Sequence, residues 1–197
     1  MHNTYKNHLS NYKHKKTYKN WVKKVDESLL TPKRKRDDDI CSTNKKREDG
    51  KKFCSGTLGI PRRYMPQLNI PVFKKAITKK YHVPVKKTNI RPVDLKPSQG
   101  EIRESKVKGL VDLMINKTYK PGEIVVSEDG YVVDGHHRWA ASLTHSPKKP
   151  IPALVIKSNI HDALGMAAAE GVKMSKFGGG FGPMQILNKR FPKDFKK

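Results

Sequence analysis

The residues best suited to chemistry in this chain stand in one run, Asp134, Gly135, His136, His137 and Arg138. A guanidinium such as Arg138 donates paired hydrogen bonds to phosphate oxygens. His137 adds a further donor and exchanges a proton near neutral pH. Gly135 tolerates positive φ and lets the backbone approach a phosphate closely. Asp134 suits either a metal ion or the orienting of a histidine, so the run points to nucleotide handling with Mg2+. A tight turn whose polar groups serve only the backbone is the alternative. It accounts for Asp134-Gly135, but not for two histidines and an arginine set just before the apolar Trp139-Ala140-Ala141.

Several elements must position this run. Ile124-Val125-Val126 and Tyr131-Val132-Val133 flank a turn with Asp129-Gly130, which predicts a hairpin. Its second strand ends at Asp134, where a helix begins, and a helix start offers unpaired N–H groups to an anion. Val107, Leu110, Val111, Met114 and Ile115 predict a helix from Lys106 to Asn116, with Ser105 placed to cap it. Ser98-x-x-Glu101 has capping-box spacing for an earlier turn. Val83-Pro84-Val85 with Ile90 and Val93 predicts an edge strand, and Ile151–Ile156 another strand. A helix over His161–Glu170 would be capped by Ser158 or Asn159, and two prolines make Ile60–Gln67 extended. Trp139 is expected as a core anchor, Asp162 as a dipole partner and His82 as a loop residue.

Composition divides the chain in three. Residues 1–56 read as a disordered basic arm, residues 57–172 as the folded domain with its core at about 83–165, and residues 173–197 as a Gly-rich basic tail. Within the arm, Trp21, Val25 and Leu29 are spaced for a short amphipathic helix, and Lys33–Arg36 is like a nuclear import signal. In the tail, Phe177 and Phe181 suit either base stacking or a hydrophobic clasp.

Charge names the partner class. The chain has 197 residues, 42 Lys+Arg against 18 Asp+Glu, and a formal charge of +24. Residues 61–197 hold 26 basic and 11 acidic side chains, so most of the excess lies beyond the arm, in the domain and its tail. DNA or another polyanion is the expected partner, through the basic surface and the arm. No apolar run approaches the roughly 18 residues of a membrane-spanning helix, and the polar start is no secretory signal. Cys41 and Cys54, both in the polar N-terminal part, are too few for a disulfide scaffold, so a reducing cytoplasmic setting is expected. Without a CxxC, and with His136, His137 and His145 not spaced as a ligand set, no structural zinc is expected.

Residues 83–165 resemble the ParB/sulfiredoxin-like superfamily. Ile90-Arg91-Pro92 matches its Arg-Pro element and Lys106-Val107-Lys108-Gly109-Leu110 its Lys-Val-x-x-Leu helix. Gly135-His136-His137-Arg138 matches the Gly-Cys-His-Arg turn, and Ile151-Pro152-Ala153 follows as in the closing strand. The resemblance implies a small α+β domain with a short mixed sheet and surrounding helices. It also implies a nucleoside triphosphate, ATP or CTP, with Mg2+. Arg91, Lys106, His137 and Arg138 would hold its phosphates, with Gln99 near the base or phosphate, in a pocket between the Lys106 helix start and the Asp134–Arg138 turn.

His136 stands where the sulfiredoxin pattern has its catalytic Cys. Imidazole cannot supply that thiolate, so sulfinic-acid reduction is not expected. Two branches remain. ParB-like proteins bind nucleotide and associate with DNA, and some are nucleases. Free-serine kinases are similar in carrying Asp-Gly-His-His-Arg after a Leu-x-Pro lead-in, here Leu95-Lys96-Pro97. In that branch Glu101, or else Glu104, would be the general base, with Asp134 and His136 completing the expected catalytic set. The expected function is nucleotide binding on or beside DNA, with nuclease or NTPase activity. A small-molecule kinase and a non-catalytic basic DNA-interaction protein are the alternatives.

Overall fold

A computed structural model describes residues 38–174, apart from residue 44. In chain order the strands are β1 (Val85–Ile90), β2 (Lys96–Pro97), β3 (Ile124–Ser127), β4 (Tyr131–Asp134) and β5 (Ile151–Ile156). The α-helices are α1 (Ile70–Lys80), α2 (Glu104–Ile115), α3 (His136–His145) and α4 (Ile160–Met174). The expected hairpin forms. Gly130 takes φ +82° in the turn, Val126 pairs with Val132, and the Ser127 hydroxyl accepts a hydrogen bond from the Tyr131 N–H. The strands make one mixed sheet in the order β1-β5-β3-β4-β2. The β5–β3 and β4–β2 pairs are parallel and the other two antiparallel. β1, preceded by Pro84, lies at the edge. This is an α+β fold, with helices on both faces of a short sheet.

Alternation along the central strands feeds two cores. Val125, Val133 and Ile156 point to one face, where Phe73 and Ile77 of α1 and Leu164 and Ala167 of α4 cover them. Ile124, Val126, Val132 and Ala153 point to the other, against Val107 of α2 and Trp139, Ala140 and Ala141 of α3. Trp139 is the expected anchor. It is fully buried and its indole N–H donates to the Pro92 carbonyl at 2.9 Å.

The structure departs from expectation in four places. α1 was not foreseen, although Asn69 caps it and Pro71 sits in its first turn. Ile60–Gln67 is not simply extended, because Arg62–Tyr64 forms a 3-10 turn. α2 begins two residues early, and its start is not capped by Ser105. The Asp38 carboxylate accepts from the Ser105 N–H and hydroxyl, both at 2.7 Å, and the Asp38 carbonyl accepts from the Glu104 N–H. No helix starts at Ser98, which is buried and donates to the Val132 carbonyl.

The bounds of the arm change accordingly. Residues 1–37 of the expected arm lie outside the described residues, as do 175–197 of the tail. Residues 38–56, however, pack on the domain. Ile40, Phe53 and Cys54 are buried, and the Phe53 ring meets Trp139 edge-on at 6.0 Å. Cys41 and Cys54 are joined by a disulfide, which removes the basis for expecting free thiols and a reducing compartment. No helix among the described residues is long and apolar enough to cross a membrane.

Candidate functional site

The run that drew attention in the sequence lies where β4 gives way to α3. Gly135 is the N-cap of α3 with φ +93°, and no side chain caps the helix start. A Cβ at Gly135 would lie 2.7 Å from Ile124 Cγ2 and 3.0 Å from Arg138 Nη2, so only glycine fits both the conformation and the space. The Arg138 guanidinium thus folds back over the turn, and its Nη2 lies 3.6 Å from Asp134 Oδ2. Burial pushes the Asp134 carboxyl above its ordinary range, against the opposing pull of Arg138, the Gly135 N–H and Arg62.

Around His137 the structure gathers cations. Arg62 Nη1, carried by the 3-10 turn, lies 3.2 Å from His137 Nδ1 and 3.3 Å from Nε2. The Arg103 main-chain N–H donates to Nε2 at 3.3 Å. Burial, then the charges of Arg62, Lys106 and Arg103, hold the His137 imidazole down to about 4, with Asp38 opposing. The ring is neutral at physiological pH, with the Arg62 guanidinium against it, while the Arg103 guanidinium lies 3.8 Å from the Asp38 carboxylate. A group of cations beside an uncapped helix start concentrates positive potential where an anion's oxygens would sit.

His136, the next residue back, has a different environment. It is 4% exposed, its Nε2 accepts from the Gln99 N–H at 3.2 Å, and Ser98 Oγ lies 3.2 Å from the same nitrogen. Burial first, then His137 and Arg62, hold it down to about 3. A neutral, enclosed imidazole with its acceptor in use ties α3 to the strand that precedes Gln99.

The other expected residues divide. Lys106 is exposed in the first turn of α2 and its charge reaches His137. Glu101 Oε2 accepts from the Arg62 N–H at 3.2 Å, which puts a carboxylate at the edge of the cation group. Glu104 turns to Lys45 and Lys108, and the Lys45 contact first of all lowers its carboxyl. Gln99 is buried and its amide donates to the Glu101 carbonyl, so it braces the lead-in to α2. Arg91 is not brought to this group. Its guanidinium binds Asp94 at 2.7 and 3.0 Å, beyond the end of β1 and three strands across the sheet from β4.

Three contributors escaped the sequence reading. Arg62 and Arg103 join the site, and Asp38 occupies the start of α2 that was expected to face a phosphate. Among the α-helices of the described residues, the start of α3 is the one left without a side-chain cap. Pro61-Arg62-Arg63 shows a basic pair in a conformationally restricted stretch, but nothing in its spacing ties it to His137, 75 residues later. A separate cleft of about 250 Å³, floored by Ile40, Phe53, Val107, Val111 and Leu143, includes none of residues 134–138.

No family model, no curated protein and no solved structure matches the chain.

Proposed function

We propose that this protein is a ParB/sulfiredoxin-like nucleotide-binding protein that works on or beside DNA. The observation that carries the reading is the Arg62 guanidinium set against neutral His137, with the Arg103 N–H on the same ring, beside the uncapped start of α3. The N–H groups of the first turn of α3 would take phosphate oxygens, as they do at other glycine-led helix starts. Arg138, which reaches Asp134 at only 3.6 Å, would turn to a phosphate with a better-placed pair of acceptors. An anion there would raise the His137 imidazole by offsetting its cationic neighbours, against the burial that lowers it most.

Among the described residues no three His, Cys, Asp or Glu side chains are grouped to hold a metal ion. A Mg2+ ion accompanying the nucleotide would therefore be held mainly by phosphate oxygens, with Asp134 and Glu101 as the carboxylates of the site. Its chemistry there would be to neutralise charge on the phosphates.

A small-molecule kinase is the second reading, and Glu101 is what favours it. This carboxylate stands beside Arg62, where it would accept a proton from an attacking hydroxyl. The DNA half of the first reading draws on the excess of 26 basic over 11 acidic residues in 61–197, the domain and tail together, more than one triphosphate needs.

A thermal-shift panel of ATP, CTP and GTP with Mg2+, run on wild type and Arg138→Ala, tests the reading. At least one nucleotide should raise the melting temperature of wild type and leave the variant unmoved. If none stabilises wild type, nucleotide binding is rejected.

A further inference from the structure

Between Asp49 and Asp94 the sequence contains no acidic residue, while residues 50–93 hold 11 Lys and Arg. The fold turns this stretch into a surface. Phe73 and Ile77, both fully buried, fix the rotation of α1 against α4. At 100° per residue, Lys75 and Lys79 then point away from that contact, and both are exposed. On the exposed edge strand β1, Lys87 points to the α1 side of the sheet and Lys86 to the other.

Some of this charge is matched locally. Lys80 pairs with Glu170 and Lys87 with Glu123. Lys79 also lies in the last turn of α1, where a cation complements the helix dipole. Lys75 in mid-helix and Lys86 in the strand have no such local role. Among the described residues neither of these two, nor Lys79, makes an ion pair. Lys75 and Lys79, exposed and unneutralised on one helix face whose own segment has no carboxylate, suit an external anion, with Lys86 on the sheet edge.

We propose that the outward face of α1, continued by the edge of β1, is where this protein meets the phosphodiester backbone of duplex DNA. The inference locates the DNA contact of the proposed function and rests on that reading, but not on nucleotide binding at α3. Lysines on a rigid surface read charge and not base edges, so the binding is independent of sequence and strongly salt-dependent. A membrane surface fits less well. An interfacial helix buries its apolar face in lipid, and the apolar face of α1 is already used against α4.

The test is fluorescence anisotropy with a 30-base-pair duplex from 50 to 250 mM salt, on the full chain. Lys75→Ala/Lys79→Ala keeps good helix formers in α1. It should weaken binding by about tenfold at low salt and lower the log–log salt slope by roughly 2, about 0.9 per lost phosphate contact. Lys46→Ala/Lys52→Ala removes the same charge from the disulfide-closed loop and should change both far less. Equal losses from the two double variants would show a mere net-charge effect and overturn the inference. So would an α1 variant that binds DNA like wild type but loses affinity for phosphatidylserine vesicles. Wild-type protein that does not bind the duplex at all would instead reject the DNA half of the proposed function.

Discussion

Adjacent histidines in this fold do opposite things, and the difference is measurable residue by residue. His136 faces inward to Ser98 and Gln99, and its neighbour His137 faces Arg62 and Arg103. His136→Ala should therefore cost about 2 kcal/mol in denaturant unfolding, from a lost buried hydrogen bond and a small cavity. Both imidazoles are held below their ordinary value of 6.5, to about 3 and about 4. The unfolded chain binds more protons than the folded one in that window. Their contribution to stability is thus complete above about pH 6.5 and declines as pH falls toward 4 and then 3. The melting temperature should follow that course, and His136→Gln should flatten its most acidic part. The run itself was legible in the sequence, because two histidines and an arginine after Asp134-Gly135 stand out by residue type alone. Residue type did not reveal which histidine is enclosed. That depends on the strand before Gln99 lying across α3, a contact between segments 37 residues apart.

Elements carry the next level of specificity. Helical periodicity located α2 to within two residues, and turn chemistry located the β3–β4 hairpin. Gly135 was legible as a turn glycine, and its close contact with Ile124 sharpens the expectation. Gly135→Ala should destabilise by roughly 1–3 kcal/mol from positive φ alone, with the steric clash in addition. Capping signals were less dependable. Ser98 and Glu101 have the right spacing and are used otherwise, while Asp38 caps α2 from 67 residues away. Residues 38–54 resist sequence reading because few apolar side chains, chiefly Ile40 and Phe53, anchor them, and the disulfide supplies much of the remaining constraint. Cys41→Ser/Cys54→Ser should lose roughly 2–3 kcal/mol, as expected for a short closed loop. Hydrogen exchange should then quicken at the amides of Ile102, Glu104 and Ser105, which donate to Asp39 and Asp38. Unchanged exchange there would mean that the strap is held without the disulfide.

At the scale of the whole molecule, there are two charged features. One is the small cation group around His137 at the start of α3, and the other is the lysines on the outward face of α1. The charge count predicted a polyanion partner but could not divide the charge between these surfaces, since that division follows from how each helix packs. The most direct test of phosphate binding at α3 is an amide chemical-shift titration of the labelled protein with ATP or CTP and Mg2+. The largest changes should fall on His136, His137, Arg138 and Arg103, with the His137 ring shifting toward its protonated form. Saturable shifts confined to other regions, or none at millimolar nucleotide, would contradict a phosphate site at the start of α3.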